Sequence, residues 1–315
     1  VAEETKPTGD QILRALVEGE RARVVVATAT GAVREMARRH GMCGVPAVAL
    51  GRAAIAGLLL ATLTKDEEQV TLQVLGDGPL GGVTVDARSS GRVRGFVKRP
   101  LAVTWDKALA SSPPISLGDA VGRKGVLGVI RDLGMAQNYS GQIALSTGEI
   151  EQEVERYLNT SEQIDSVLRA EVLVDGDGRI TAAAGLLVQT LPQAHGAALV
   201  EFVRDSLRGP IFTQVLADAL DQGRVEPEYL ARLALGDSTR GMQVLDLRKV
   251  GFFCPCSRER AESTLGMLRP DDLREMLLED RSAQVTCNFC GADYRFSDIE
   301  LESIRRKHDK KVGRA

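Results

Sequence analysis

The chain has 315 residues, more than a single hydrophobic core usually organises, and its 43% hydrophobic and 26% charged content excludes wholesale disorder and collagen-like repeats. Forty Lys and Arg stand against 43 Asp and Glu, a net charge of −3 that argues against a generic nucleic-acid coat, and 4% aromatics argue against base-stacking platforms. The opening Val1 to Asp10 lacks the basic start and apolar stretch of an export signal, and the most apolar run, Ala53 to Leu63, is too short to cross a bilayer. A reducing cytoplasm is therefore the expected setting, where clustered cysteines serve metal binding or redox chemistry rather than permanent disulfides.

In chain order, Asp10 reads as a helix cap followed by Ile12, Leu13, Leu16 and Val17 at helical spacing, and Arg23 to Thr28 reads as a β-branched strand. A helix is expected from Ala32 to His40. Pro46 opens another through Val48, Ile55, Leu58 and Leu59 to the charged turn Lys65 to Glu68, buried against a sheet. Gln69–Leu75, Gly82–Ala87 and Arg92–Lys98 alternate between apolar and polar residues and are separated by Gly-Asp-Gly-Pro and Ser-Ser-Gly turns, the pattern of antiparallel hairpins. Further strands are expected at Gly125–Arg131 and Gln142–Leu145. Ser146 and Glu149 then form a capping pattern for a helix carrying Ile150, Val154 and Tyr157. The turn Asp175-Gly-Asp-Gly joins strands Val167–Val174 and Arg179–Gln189, which completes an α+β domain over residues 1–190 with a mostly antiparallel sheet.

After Pro192 come short helical stretches, Gln193–Arg208, Ile211–Asp221 and Pro227–Leu235, so that residues 191–248 read as a helical connector. Leu199, Phe202, Val203, Leu207, Val215 and Leu216 recur on one side of these helices, a face that packs on the first domain or can be uncovered to bind something.

Two motifs imitate ligand sites. Gly76, Gly78 and Gly81 spell G-x-G-x-x-G, but a strand rather than a helix follows, and Asp175 with Asp177 fits a hairpin turn better than a calcium loop. There is no phosphate-binding G-x-x-x-x-G-K-[ST] loop and no G-x-S-x-G, and His40, His195 and His308 lack zinc-protease spacing.

The strongest signal is Cys254-Pro-Cys256, thirty intervening residues, and Cys287-Asn-Phe-Cys290-Gly. Two close pairs separated by a loop deliver four thiolates to one tetrahedral Zn(II), a closed site with no position left for catalysis; an Fe–S cluster or a metal-free dithiol pair stays open. Around them Ser257 caps a helix to Leu268, Pro270 starts one through Leu278, Tyr294 and Phe296 follow the second pair, and Ser297 with Glu300 makes a capping box. So small a domain, residues 249–315, leans on its metal, which contributes roughly 10 to 16 kcal/mol in zinc-finger peptides. Oxidation of the thiolates to disulfides would eject the metal and make the site a switch; the plain alternative is a permanent zinc ribbon. Cys43 stands apart and reads as a small buried residue.

Phe252-Phe253-Cys254-Pro255-Cys256-Ser257, the gap, and Val285-Thr286-Cys287-Asn288-Phe289-Cys290-Gly291 with Tyr294 and Phe296 resemble the HslO family of redox-regulated heat-shock chaperones. Weaker likenesses run through Tyr157–Gln163 and Ala184–Gln189 ahead of Leu191-Pro192. The resemblance implies a bacterial cytoplasmic holdase that needs no ATP, inactive while its cysteines are reduced and zinc-bound. It implies that Cys287 pairs with Cys290 first, that zinc leaves and the connector loses order, that Cys254 then pairs with Cys256, and that a dimer holds unfolded client proteins. Two rivals remain: a zinc-ribbon nucleic-acid binder using Arg305, Arg306, Lys307, Lys310 and Lys311, and a thiol oxidoreductase using Cys287 and Cys290.

Overall fold

A computed structural model describes residues 3–4, 9–17, 22–64, 68–106, 115–132, 134, 138–191, 198–207 and 210–312. Most of the opening segment, Lys65 to Glu67 of the charged turn, the start of the helix expected from Gln193, Gly209, and the side chains of Lys307, Lys310 and Lys311 lie outside the described residues. The chain divides into two compact units, one of Thr5–Phe253 and a smaller one of Val1–Glu4 with Cys254–Ala315.

The elements up to the start of the smaller unit's main segment are β1 (Glu3–Glu4), β2 (Gln11–Val17), β3 (Ala22–Thr28), α1 (Thr30–Arg39), α2 (Val45–Ala61), β4 (Gln69–Gly76), β5 (Val83–Arg88), β6 (Arg92–Val97), α3 (Gly118–Val121), β7 (Gly125–Asp132) and β8 (Tyr139–Ala144). They continue with α4 (Ile150–Thr160), β9 (Ser166–Val174), β10 (Ile180–Thr190), α5 (Ala198–Ser206), α6 (Ile211–Asp221), α7 (Pro227–Leu235), a 3-10 turn at Gly236–Gly241, β11 (Met242–Lys249) and β12 (Gly251–Cys254). Strands of the larger unit fall into two sheets. One, in the order β11-β2-β3-β10-β9, is antiparallel throughout; in the other β6, β5, β4, β7 and β8 run antiparallel, and Gly251 and Phe252 add parallel to β6.

The first expected helix is a strand. β2 lies between β11 and β3 and is covered on both faces, so Ile12 and Leu13 are both buried and the apolar positions imitate a helical stripe. Asp10, read as a cap for that helix, instead caps α1: its Oδ2 accepts the Ala32 N–H at 2.8 Å. The capping pattern at Ser146 is also displaced. Glu149 occupies the cap position of α4 without a side-chain cap, and Ser146 N–H and Thr147 N–H donate to Glu153 instead.

Helix α2 is buried along its whole length, which explains its nearly unbroken apolar sequence. It contacts both sheets. Its close seat on β10 requires Gly185, where a Cβ would stand 2.3 Å from Ile55. Arg52 on α2 is only 2% exposed. Its guanidinium meets Glu171 at 2.7 Å, Glu149 at 3.2 Å and Glu151 at 3.7 Å, while Glu171 accepts a 2.6 Å hydrogen bond from the Thr213 hydroxyl on α6. One buried cation thus ties α2, the start of α4 and β9 together, and Thr213 ties α6 to β9. Glu153 is anchored differently: burial would raise its pKa, but Arg156 and the N–H groups of residues 146 to 148 hold it down to about 2.

The connector helices pack on one face of the five-stranded sheet. Leu199, Val203 and Leu207 of the first segment join Leu216 and Leu230 against Val24, Val26, Ala184, Leu186 and Val188. Val215 is partly buried at the edge of this cluster. Phe202, expected on the same side, is 48% exposed and faces away. Beyond Leu235, where the sequence marked no element, the chain turns and returns as β11 along β2. The motif Gly76 to Gly81 turns into β5, and Asp175 closes its hairpin by accepting from the N–H groups of Asp177 and Arg179, as the sequence indicated.

Burial pushes the Glu151 carboxyl up to about 7, with Arg52 only partly offsetting it. A group whose folded-state pKa is raised contributes stability that is complete below its unfolded value and lost as pH rises through the folded one. Relative to the parent, Glu151→Gln is therefore expected to gain thermal stability progressively as pH rises from about 4.5 to about 7 and to keep that gain above it. Unfolding transitions across that range check it; parallel pH curves for the two proteins would contradict it.

Candidate metal centre

The smaller unit contains α8 (Arg258–Leu265), α9 (Pro270–Glu279), β13 (Ser282–Thr286), β14 (Asp293–Ser297) and α10 (Asp298–Val312). Pro255 and Cys256 leave the end of β12 extended, and the Ser257 hydroxyl then caps α8 by accepting the Arg260 N–H at 3.3 Å. The helix ends at Leu265 rather than Leu268, because Gly266 follows and residues 264–268 tighten into shorter turns. β13 and β14 form a hairpin that pairs Val285 with Tyr294 and Ala283 with Phe296.

The second cysteine pair lies in the turn of that hairpin. Cys287 N–H donates to Ala292 at 2.9 Å, Gly291 N–H returns to Cys287 O at 2.8 Å, and Gly291 sits at φ +71°, a left-handed conformation that glycine adopts without strain. This turn aims the N–H groups of Phe289 and Cys290 at the Cys287 sulfur and that of Ala292 at the Cys290 sulfur. Such donors favour thiolates.

The structure brings all four cysteines expected as ligands together: Cys254, Cys256, Cys287 and Cys290 present their sulfurs within 4.8 Å of one another. Cys254 and Cys287 are 3.7 Å apart, Cys256 and Cys290 3.2 Å. Two sulfurs bound tetrahedrally at about 2.3 Å to one ion stand about 3.8 Å apart, so the set fits zinc with little adjustment. None of the four is in a disulfide. Cys254 and Cys290 are buried, the other two partly so. Without a cation the thiols resist ionisation. Hydrogen bonding with Cys254, then burial, drives the Cys287 pKa upward, and burial pushes Cys290 up to about 11. A divalent ion would stabilise the thiolates against that burial, so the donor chemistry fits a metal as well as the spacing does.

A small core backs the centre. Ala261, Leu265, Leu273, Phe296, Leu301 and Ile304 are its buried apolar residues. The expected capping box at α10 is present: Ser297 N–H donates to Glu300 at 2.9 Å, and Glu300 N–H approaches the Ser297 hydroxyl at 3.4 Å. Glu300 is held down to about 2 by that N–H and then by Arg258, whose guanidinium also covers the Phe296 ring at 4.5 Å. The Tyr294 hydroxyl lies 3.2 Å from Cys256 Sγ, a contact that no spacing in the sequence marks, and it raises the tyrosine pKa by stabilising the protonated phenol.

Two other candidates change. Cys43 is exposed, not buried, because it falls in the turn between α1 and α2 where Met42 takes the inward position. Arg305 and Arg306, offered as phosphate contacts, both pair with Glu302 at 2.8 and 2.9 Å.

The chain's residues 10–297 match the family model described as Hsp33 protein. The chain belongs to the Hsp33 family. Among its Hsp33 relatives, the 33 kDa chaperonin of Listeria welshimeri is 35% identical over 295 residues, covering 94% of this chain and 98% of that protein. That of Synechococcus is 37% identical over 307 residues, covering 96% and 93%. The crystal structure of the 33 kDa chaperonin of Thermotoga maritima, an Hsp33 homologue, superposes with a TM-score of 0.81 at 27% identity, over 96% of this chain and 100% of that one. The α+β fold with antiparallel sheets is thus shared with that Hsp33 homologue.

Ser297→Ala removes one half of the capping box and is expected to cost about 1 kcal/mol in the smaller unit's stability. Hydrogen exchange of the amides of α10 and β14 measures it, and unchanged protection would mean that the cap contributes nothing.

Proposed function

We propose that the chain is a redox-regulated, ATP-independent holdase of the bacterial cytoplasm. Oxidation of its four-cysteine zinc centre lets it bind unfolding proteins and prevent their aggregation. It is a binding protein, not an enzyme. The observation that carries this reading is the four-sulfur cluster in a unit with a thin core of its own, in a chain whose Hsp33 relatives are named chaperonins. The lack of a phosphate-binding loop in the sequence agrees with independence from ATP.

Bound zinc supplies positive charge that keeps Cys254, Cys256, Cys287 and Cys290 as thiolates and joins the two halves of the smaller unit. The switch disulfides are Cys287–Cys290, formed first, and Cys254–Cys256. One thiolate attacks a peroxide oxygen; the O–O bond breaks, leaving a sulfenic acid and hydroxide, which is protonated to water. The partner thiolate attacks that sulfur, the S–S bond forms and a second hydroxide leaves, so peroxide takes two electrons from two sulfurs. A disulfide of about 2.05 Å withdraws both sulfurs from the ligand set, and the small apolar core is left to hold the unit alone.

The division that serves this mechanism is a core of residues 1–190, a connector of 191–248 and a redox unit of 249–315. Loss of order in the connector uncovers Leu199, Val203, Leu216 and Leu230 together with the sheet face of Val24, Val26 and Leu186 that they cover. Burial against that apolar surface is non-directional, which suits clients of many sequences and also favours a homodimer in the oxidised form. A nucleic-acid role gains no support from Arg305 and Arg306, whose charges are engaged by Glu302.

The test compares reduced, zinc-loaded protein with peroxide-treated protein at mildly raised temperature, following light scattering of an aggregating client and zinc release together. Suppression that arises only as zinc departs is the expected result; zinc release without suppression would leave a structural metal site. Cys290→Ser replaces a thiolate by a hydroxyl that hardly ionises, and is expected to lose stoichiometric zinc during desalting. Full zinc occupancy in that variant would remove Cys290 from the ligand set.

A further inference from the structure

The four sulfurs differ in what surrounds them. Cys287 and Cys290 receive backbone N–H groups from their own turn, whereas Cys256 faces a side-chain donor, the Tyr294 hydroxyl at 3.2 Å. Three features place that hydroxyl. Antiparallel pairing of Tyr294 with Val285 sets its position along the hairpin, the Thr286 hydroxyl bonded to Asp293 at 2.5 Å closes the hairpin beside it, and its ring packs against the small core. The bond also links the two halves of the centre, since Cys256 precedes α8 and Tyr294 belongs to the hairpin that carries Cys287 and Cys290.

We propose that the Tyr294 hydroxyl is a positioning group of the switch: it holds Cys256 as a ligand and sets how readily that sulfur is given up to an oxidant. Its meaning for regulation rests on the redox reading above. The physical reason is that attack on peroxide uses a sulfur lone pair, and a hydrogen bond donated to the thiolate stabilises that electron density and lowers its nucleophilicity. The same donor disperses charge on a four-thiolate centre, whose net charge with one Zn(II) is negative, and so favours metal retention. A tyrosine on the rigid hairpin can therefore restrain one sulfur without restraining the other three.

The test uses the full-length, zinc-loaded protein and Tyr294→Phe, which keeps the ring in the core and removes only the hydroxyl. Under anaerobic conditions, competition with a metallochromic chelator is expected to show roughly tenfold weaker zinc binding in the variant, the lower end of effects seen when groups around metal ligands are removed. Limited alkylation by iodoacetamide, read by mass spectrometry cysteine by cysteine, is expected to show Cys256 modified several-fold faster than in the parent, with Cys287 unchanged as the internal reference. A general loosening would speed all four cysteines together, and that result, or no change in Cys256, overturns the assignment. A peroxide arm separates the two readings. Parent protein that releases zinc without holding clients refutes the holdase reading, whereas the chelator and alkylation arms alone decide the place of Tyr294.

Discussion

Four sulfur atoms within 4.8 Å of one another cannot all carry charge unless a cation lies among them. That constraint governs the smaller unit. Among the described residues its buried apolar core has six members, its hairpin is two short strands, and one cysteine pair precedes α8 while the other lies in the hairpin turn. Neutral thiols would leave the centre as four polar groups crowded together, while thiolates around a divalent ion become the strongest tie in the unit. Stability and chemical reactivity are thereby placed on the same atoms, because the thiolate that binds metal is also the form that reacts with oxidants.

The larger unit meets its own charge problem in the opposite way. Arg52 lies in the middle of a helix buried along its length, and its cation is neutralised within the protein by Glu149, Glu151 and Glu171. Three carboxylates for one guanidinium leave excess negative charge, which burial resolves by raising Glu151 toward neutral pH. This ionic knot joins helix, sheet and connector through side chains from residues 52, 149, 171 and 213, so it favours one arrangement of those elements over others of similar apolar burial.

The connector adds apolar packing to its tie through Thr213. Helices α5, α6 and α7 are each about three turns or fewer, too short to persist alone, and they hold their shape by covering the five-stranded sheet. The strand β11 that follows them pairs with β2.

Much of this was legible in the sequence because it depends on local patterns. The spacing Cys254-x-Cys256 with Cys287-x-x-Cys290 specified a four-sulfur centre, since ligand number and chemistry travel with the residues themselves. The hairpins at 69–98, the helix opened by Pro46 and the capping box at Ser297 were likewise readable, because turns, prolines and caps act within a few residues. What the tertiary structure alone decided concerns partners distant in sequence. Ile12 and Leu13 become strand residues only because β3 and β11 pair with both edges of their segment, and Asp10 caps a helix through an N–H 22 residues away. Cys43 faces outward although its neighbours are apolar, because it lies in a turn. Arg52 finds carboxylates about a hundred residues further on, and Tyr294 reaches Cys256 across the centre, contacts that only the folded chain brings within hydrogen-bonding distance.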